Sequence, residues 1–258
     1  KAYDIRGIYG SELTEDVAYK TARSLAQLIA TEQGGKQLNL VVGADMRLSS
    51  PSLKQAVIQG ILDEGCNVID IGLVSTPAFY FGVAKYGYDG GLMVSASHNP
   101  PQYNGLKMVR AGGVPVSKDT GILTLRDAVI ANTTYGTKKT GGQVTTRNDV
   151  VINDVAEAIA FTTTNAIKPF KIVADAANAM GATYLRELFK QLPCELIEMN
   201  FDLDGTLVDA YAAIVSSLNY TLRELGYSPQ GPGVIRRAVG RGDASLLRPF
   251  VRREDLKR

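Results

Sequence analysis

The chain has 258 residues, enough for about two domains. Its 45% hydrophobic and 21% charged residues are ordinary for a globular protein, and its net charge of +2 gives no reason to expect nucleic acid or an acidic membrane as a partner. No apolar run approaches the roughly 20 residues that a membrane span needs. The two cysteines, Cys66 and Cys194, fit no metal or redox spacing, which predicts buried thiols in a reducing, cytoplasmic compartment.

The first half of the chain alternates predicted helices with short apolar strands. Apolar residues at helical spacing predict a helix at 15–29, and Pro51 in a first turn favours another at 51–65, with Ser49 or Ser50 as its cap. Short apolar runs predict buried strands at 38–42, 67–71 and 91–94. Strands separated by helices indicate βαβ units and a mainly parallel sheet, whose ligands gather at the carboxyl ends of strands.

Residues 132–146 are rich in Thr, Gly and Lys, which predicts a linker or an exposed loop. Regular patterns resume after this stretch, with predicted helices and strands at 150–160, 171–174, 183–191 and 195–199. The sequence therefore predicts a first domain at 1–135, a linker at 136–146 and the beginning of a second α/β domain at 147–200.

The most informative motif is the segment SASHNP at 95–100, which directly follows a predicted strand. A serine on a strand-end loop can act as a nucleophile or carry a phosphate, provided that a base, a metal or a strong field activates it. His98, the only histidine of the chain, lies next to Ser97. A plain Asn-Pro turn with a capping serine is the alternative interpretation of this motif.

Three segments in order resemble the α-D-phosphohexomutases, the phosphomannomutase/phosphoglucomutase family. They are KAYDIRG at 1–7, GADMRLSS at 43–50, and SASHNP at 95–100 continued by YNGLK at 103–107. The resemblance extends through KIVADAANAMG at 171–181 and covers about 200 residues. It implies an α/β fold in which helices sandwich a mainly parallel sheet, followed by a truncated second α/β domain and a helical tail.

The resemblance also implies a site and a reaction. Ser97 would be the phosphorylated serine that exchanges a phosphoryl group with a hexose phosphate, and Mg²⁺ would bridge its phosphate and an acidic loop. Arg6 and Lys107 match cations near the transferring group, His98 lies beside the serine, and Tyr3 matches a residue lining the substrate site. The family's acidic metal loop, DGDGDR, does not occur in the sequence, so we expect this chain alone to be inactive as a mutase.

A second resemblance begins at residue 201. The segment FDLDGTLVD at 201–209 is similar to the first motif of the haloacid dehalogenase superfamily of phosphatases. There Asp202 would be the nucleophile, Asp204 the general acid/base, and both would hold Mg²⁺. A helix at 210–225 and the remainder to 258 resemble the start of that superfamily's helical cap.

The choice of basic residues changes near the same point. There are 12 Lys and 7 Arg through Thr206, and 1 Lys and 8 Arg after it. We therefore predict a chimeric join near Phe201, with a natural fusion as the alternative. Three functions stay open: a phosphohexomutase fragment, a Mg²⁺-dependent phosphatase built on Asp202, and a non-catalytic α/β module.

Overall fold

A six-stranded sheet organises the first part of the chain in the computed structural model, which describes residues 3–131, 137–162, 167–203, 210–238 and 251. Its strands are β1 (Asp4–Ile8), β2 (Asn39–Ala44), β3 (Asn67–Leu73), β4 (Gly90–Val94), β5 (Tyr103–Arg110) and β6 (Val144–Thr146). The helices around it are α1 (Glu15–Glu32), α2 (Ser50–Leu62), α3 (Thr76–Lys85), α4 (Ile122–Ile130) and α5 (Val150–Ala160).

The strand order is β1-β5-β4-β2-β3-β6. The pairs β4–β2, β2–β3 and β3–β6 are parallel, whereas β1–β5 and β5–β4 are antiparallel. The prediction of a mainly parallel α/β sheet is thus confirmed. The antiparallel strands β5 and β1 extend the sheet beyond β4, so the loop at 95–102 returns the chain directly beside the strand that it leaves.

Helices cover both faces of this sheet. On one face α1 and α2 pack over a core that includes Leu25, Leu40 and Leu92, and Gly60 permits their close approach because a Cβ there would lie 2.5 Å from the carbonyl oxygen of Tyr19. On the other face α3 packs through the fully buried Phe79. The helix α3 was not predicted, because its apolar and aromatic residues show no clear helical spacing.

The structure differs from two sequence-based expectations in this region. Residues 144–146 lie in the predicted linker, but they form the edge strand β6, which pairs with β3 through main-chain hydrogen bonds that no side-chain pattern reveals. Ser49 and Ser50 do not cap α2 through their side chains. Both hydroxyls instead bind Asn104, which approaches only through tertiary folding.

A two-stranded parallel sheet, β7 (Lys171–Asp175) with β8 (Glu195–Met199), marks the second unit. The helix α6 (Gly181–Phe189) contributes Ala182 to a small core with Ala176 and Phe201. The last described helices, α7 (Ala210–Glu224) and α8 (Pro232–Ala238), share a separate apolar cluster. None of the helices in the described part of the chain is both long and apolar enough to cross a membrane.

The helix α5 connects the two units. We predicted it as the start of the second domain. Val150 is buried in the core under α3, and Arg147 lies over the Tyr86 ring at 3.5 Å. Of the two cysteines, Cys66 is buried as predicted, whereas Cys194 is partly exposed because the strand it precedes has little cover.

Candidate active site

Ser97 lies on the loop that follows β4, as predicted, and its side chain is exposed. Its backbone has φ +57°, a left-handed conformation that few non-glycine residues adopt. The Ser97 amide donates to Ser95 Oγ at 3.0 Å, and Ser97 Oγ lies 3.3 Å from Nδ1 of the exposed His98. Because such strain costs about 1–3 kcal/mol and persists only where its surroundings enforce it, this loop has a shape imposed by its neighbours.

Two basic side chains share one carboxylate near this loop. Asp4 on β1 is almost fully buried, and its Oδ2 accepts from Arg6 Nε at 2.8 Å and from Lys107 Nζ at 3.0 Å. Burial by itself raises the pKa of Asp4, but the hydrogen bonds and charges of Lys107 and Arg6 outweigh it and hold that pKa below its ordinary value. The three groups therefore carry one net positive charge at neutral pH.

Arg6 joins this charged group to the serine loop. Its guanidinium nitrogen Nη1 donates to Oδ1 of Asn99, two residues beyond Ser97, at 2.5 Å. The structure thus brings Arg6, Lys107 and the serine loop to one edge of the sheet, where we predicted a common site. Tyr3, the remaining predicted substrate-binding residue, precedes β1 and is 65% exposed.

Gly105 allows β5 to lie close to the base of the serine loop. The Ser95 amide donates to the Gly105 carbonyl at 2.9 Å. A Cβ at Gly105 would lie 2.7 Å from the Ser95 carbonyl oxygen and 2.9 Å from that of Ile5. These distances are too short for any side chain, so the register of β5 depends on glycine at this position.

Arg47 was not among the predicted site residues, although it stands in the second resembling segment. Its side chain is buried beneath the serine loop and donates to main-chain carbonyls of that loop. A sequence signal existed, because Arg47 follows the carboxyl end of β2, the parallel neighbour of β4. Only the folded chain shows which carbonyls it meets.

The structure describes one of the two aspartates that the second motif predicts as catalytic. Asp202 is exposed three residues after β8, and its amide donates to Asn178 Oδ1 at 3.3 Å. Asp204 lies outside the described residues. Ser97 follows a strand of the six-stranded sheet, whereas Asp202 follows a strand of the two-stranded sheet.

Mg²⁺ was predicted to bind beside Ser97, where it would need several acidic side chains as further ligands. Across the part of the chain that the structure describes, no three His, Cys, Asp or Glu side chains come together as metal ligands. Ser97 would supply one oxygen, and the acidic partners expected from the family are not assembled around it. The described residues therefore do not form a complete magnesium site.

The first unit is an α/β domain with an exposed serine at a strand end and paired cations beside it, which is the arrangement expected of the phosphohexomutase class. Residues 1–136 match the family described as phosphoglucomutase/phosphomannomutase, alpha/beta/alpha domain I, and the chain belongs to this family. Residues 199–258 match the haloacid dehalogenase-like hydrolases. Both resemblances, and the change from one to the other near residue 200, are thereby confirmed.

Curated relatives and solved structures agree with the first match. A phosphomannomutase of Vibrio cholerae serotype O1 is 39% identical over 210 residues, which are 80% of this chain and 45% of the relative. Phosphohexose mutases of Xanthomonas campestris pv. campestris are 36% identical over 205 residues, 80% of this chain and 44% of the relative. The chain thus spans less than half the length of these curated relatives.

The solved structures match over a larger share of the chain. A phosphoglucomutase/phosphomannomutase family protein from Burkholderia thailandensis has a TM-score of 0.71 at 31% identity and covers 87% of this chain and 49% of its own. A phosphomannomutase-like structure from Thermus thermophilus has a TM-score of 0.64 at 24% identity, covers 88% of this chain and 51% of its own, and supports the fold alone.

Proposed function

We propose that the chain is part of a phosphohexomutase in which Ser97 carries the phosphoryl group that is passed to and from hexose phosphates. The observation that carries this proposal is the exposed Ser97 in a strained strand-end loop, inside a domain of the phosphoglucomutase/phosphomannomutase family. The relatives named as phosphomannomutases and phosphohexose mutases support hexose phosphates as the substrate class.

The first step is transfer from a hexose bisphosphate to Ser97. Oγ of Ser97 forms a bond to phosphorus while the bond between that phosphorus and the sugar oxygen breaks, and the sugar oxygen takes up a proton from solvent. The hydroxyl proton of Ser97 leaves to Nδ1 of His98, which lies 3.3 Å away. The reverse transfer onto the other end of the monophosphate completes the exchange.

Arg6 and Lys107 serve this step by offsetting charge on the phosphoryl oxygens. An ammonium has three N–H donors, and the hydrogen bond to Asp4 uses one of them at Lys107. Because the shared carboxylate of Asp4 holds both cations on the sheet, they are oriented before the phosphate arrives. Mg²⁺, which is proposed from the family resemblance, would offset further charge on the phosphoryl oxygens.

We further propose that this chain by itself accepts phosphate on Ser97 but does not interconvert hexose phosphates. Phosphoryl transfer depends on positioning the sugar and neutralising several oxygens at once. The described residues offer two cations and one serine at this site, and the chain spans 45% of the length of a curated relative. A cytoplasmic location, proposed from the reduced thiols that the sequence predicts, fits the same function.

The test is covalent labelling of the purified chain. Incubation with a hexose bisphosphate and Mg²⁺ should add one phosphoryl group to the intact mass, and peptide sequencing should place it on Ser97. Ser97→Ala should remove the label, whereas Ser11→Ala, which removes another exposed hydroxyl, should leave it unchanged. A phosphoryl group that persists in Ser97→Ala would show that another residue is the carrier.

A second candidate function rests on the match of residues 199–258 to haloacid dehalogenase-like hydrolases. Asp202 is exposed and could attack a phosphate ester. Mg²⁺-dependent hydrolysis of an aryl phosphate that is abolished by Asp202→Asn and retained by Ser97→Ala would establish this activity. If neither labelling nor hydrolysis occurs, the third alternative, a non-catalytic α/β module, describes this chain.

A further inference from the structure

We infer that Arg47 is a positioning residue for phosphoryl transfer, because its buried guanidinium fixes the shape of the loop that presents Ser97. This inference rests on the proposed function of Ser97 for its catalytic meaning, but the loop geometry that it explains can be measured independently. Arg47 itself faces the main chain of the loop and has no described contact with the Ser97 hydroxyl.

The guanidinium of Arg47 lies beneath the loop and binds it at four points. Nη2 donates to the carbonyl oxygens of Ser97 and Asn99 at 2.8 and 2.7 Å. Nη1 donates to the carbonyl oxygens of Pro100 and Tyr103 at 2.9 and 2.8 Å. One side chain therefore gathers carbonyls from both the beginning and the end of the loop.

The burial of Arg47 raises the free-energy cost of losing these hydrogen bonds. Arg47 is only 2% exposed, so its guanidinium could not replace these carbonyl acceptors with water if the loop moved away. Desolvation lowers the pKa of Arg47 from its ordinary value, while the nearby Asp45 carboxylate opposes that shift. The positive charge is kept in the core because Asp45 Oδ2 accepts from Arg47 Nε at 3.3 Å.

The buried carboxylate of Asp45 is itself held in place. Its Oδ1 accepts from the Ser50 hydroxyl at 2.6 Å and from the Arg47 amide at 3.1 Å. Ser50 Oγ in turn accepts from Asn104 Nδ2 at 3.0 Å, one residue beyond Tyr103, whose carbonyl Arg47 binds. The guanidinium is thus anchored to β2, α2 and β5 before it reaches the loop.

The consequence for Ser97 follows from its two peptide groups. Its amide is bound by Ser95 Oγ and its carbonyl by Arg47, so the strained φ of +57° is enforced from both sides. With the main chain fixed, Oγ is directed outward beside His98. Pre-organisation of this kind holds a nucleophile near its attack geometry before the substrate binds.

Lysine cannot replace this arginine. A guanidinium is a planar fork with five N–H donors, whereas an ammonium is a single point with three donors. Four carbonyls spread over residues 97–103 and the Asp45 carboxylate need the wider group. Arg47→Lys therefore keeps the buried charge while it removes most of the loop contacts.

The experiment compares Arg47 with a matched buried arginine of the same chain. Arg23 on α1 is 5% exposed and pairs with Glu64, two residues beyond the end of α2 and away from the serine loop. We would prepare Arg47→Lys, Arg47→Ala, Arg23→Lys and Arg23→Ala in the full chain. Thermal unfolding would measure global stability, amide exchange would measure the loop, and labelling by a hexose bisphosphate would measure Ser97.

We expect all four variants to lose stability but only those of Arg47 to change the loop. Exchange at the amides of Ser97, Asn99 and Tyr103 should accelerate by about tenfold or more in Arg47→Lys, and the labelling rate should fall by a similar factor. Guanidinium ions, added well below denaturing concentrations, should restore part of the labelling rate to Arg47→Ala and none to Arg23→Ala.

The inference is overturned if the loop amides of folded Arg47→Lys exchange no faster than those of Arg23→Lys at comparable stability. It is also overturned if Arg47→Lys accepts phosphate at the rate of the unchanged chain. If the unchanged chain accepts no phosphate at all, the proposed function fails, and amide exchange in the Arg47 variants still decides whether this residue holds the loop.

Discussion

The Asp4 carboxylate on β1 accepts a hydrogen bond from Nζ of Lys107, its direct cross-strand neighbour on β5, at 3.0 Å. The two residues are 103 positions apart in the chain, so this pair forms only when β1 adds to the sheet. Their side chains are 6% and 14% exposed, which weakens the competition from water. Arg6 shares the same oxygen, so one carboxylate orients both cations of the candidate site.

Replacing Asp4 with asparagine should destabilise the fold and leave two cations without their shared counter-charge. We expect the free energy of unfolding to fall by about 1.5–3 kcal/mol, the usual cost of a lost charged hydrogen bond at a poorly solvated site. Denaturant unfolding would measure the loss. Asp127→Asn, which removes a carboxylate from an exposed ion pair, should change stability by less than about 0.5 kcal/mol.

The lowered pKa of Asp4 gives its contribution a defined pH dependence. The contribution should be fully present above the unfolded-state pKa of about 4, and it should be lost as the pH falls through the lower folded-state pKa. The difference in stability between the unchanged chain and Asp4→Asn should therefore be constant from neutral pH to about pH 5 and shrink at more acidic pH. A difference that grows on acidification would contradict the ion pairing of Asp4.

Ser97→Gly should separate backbone strain from chemistry. Glycine adopts φ +57° without steric cost, so we expect stability to rise by about 1 kcal/mol while phosphate labelling is lost. Ser97→Ala should lose labelling with little change in stability, because alanine keeps the strain. Ser11→Gly, at a position without positive φ, should instead be slightly destabilising; equal effects of glycine at both positions would refute strain at Ser97.

Gly105→Ala should disrupt the contact between β5 and the serine loop. The added methyl would lie 2.7 and 2.9 Å from two main-chain oxygens, which cannot move without shifting a strand, so we expect a loss of about 2 kcal/mol or more. Gly181→Ala is the control, because a Cβ there meets nothing within 4 Å at the start of α6. Thermal unfolding of both variants checks this prediction; a neutral Gly105→Ala would refute the close approach.

The two sheets should differ in local stability. β2 pairs on both sides and five of its six residues are buried, whereas β7, among the residues that the structure describes, pairs with β8 alone and its first three residues are exposed. Isolated two-stranded sheets are marginal, so amides of β7 should exchange faster than those of β2 by about two orders of magnitude or more. Equal protection, measured by mass spectrometry of the two peptides, would indicate that the second unit is completed by further packing.

Much of the fold and the position of the serine followed from local patterns. Short apolar runs predicted β2, β3 and β4, and helical spacing predicted α1 and α5, because these elements bury a periodic set of side chains. The segments at 1–7, 43–50 and 95–107 predicted the family and the serine loop, because each is a short characteristic run of residues that can be recognised without knowing what it contacts in the fold. Thus the sequence by itself determined the α/β class, the exposed strand-end position of Ser97 and the two family resemblances.

Tertiary structure alone decided how distant polar groups meet. Arg47 and the carbonyls that it binds are up to 56 positions apart, and no periodicity predicts which main-chain oxygens a buried guanidinium will reach. The edge strand β6 and the burial of Val150 under α3 also depend on surfaces formed by other parts of the chain. The spacing of apolar residues along the chain predicts which side chains share a buried face. Hydrogen-bond partners depend on the distance and angle between donor and acceptor, which are set only after the sheet has formed.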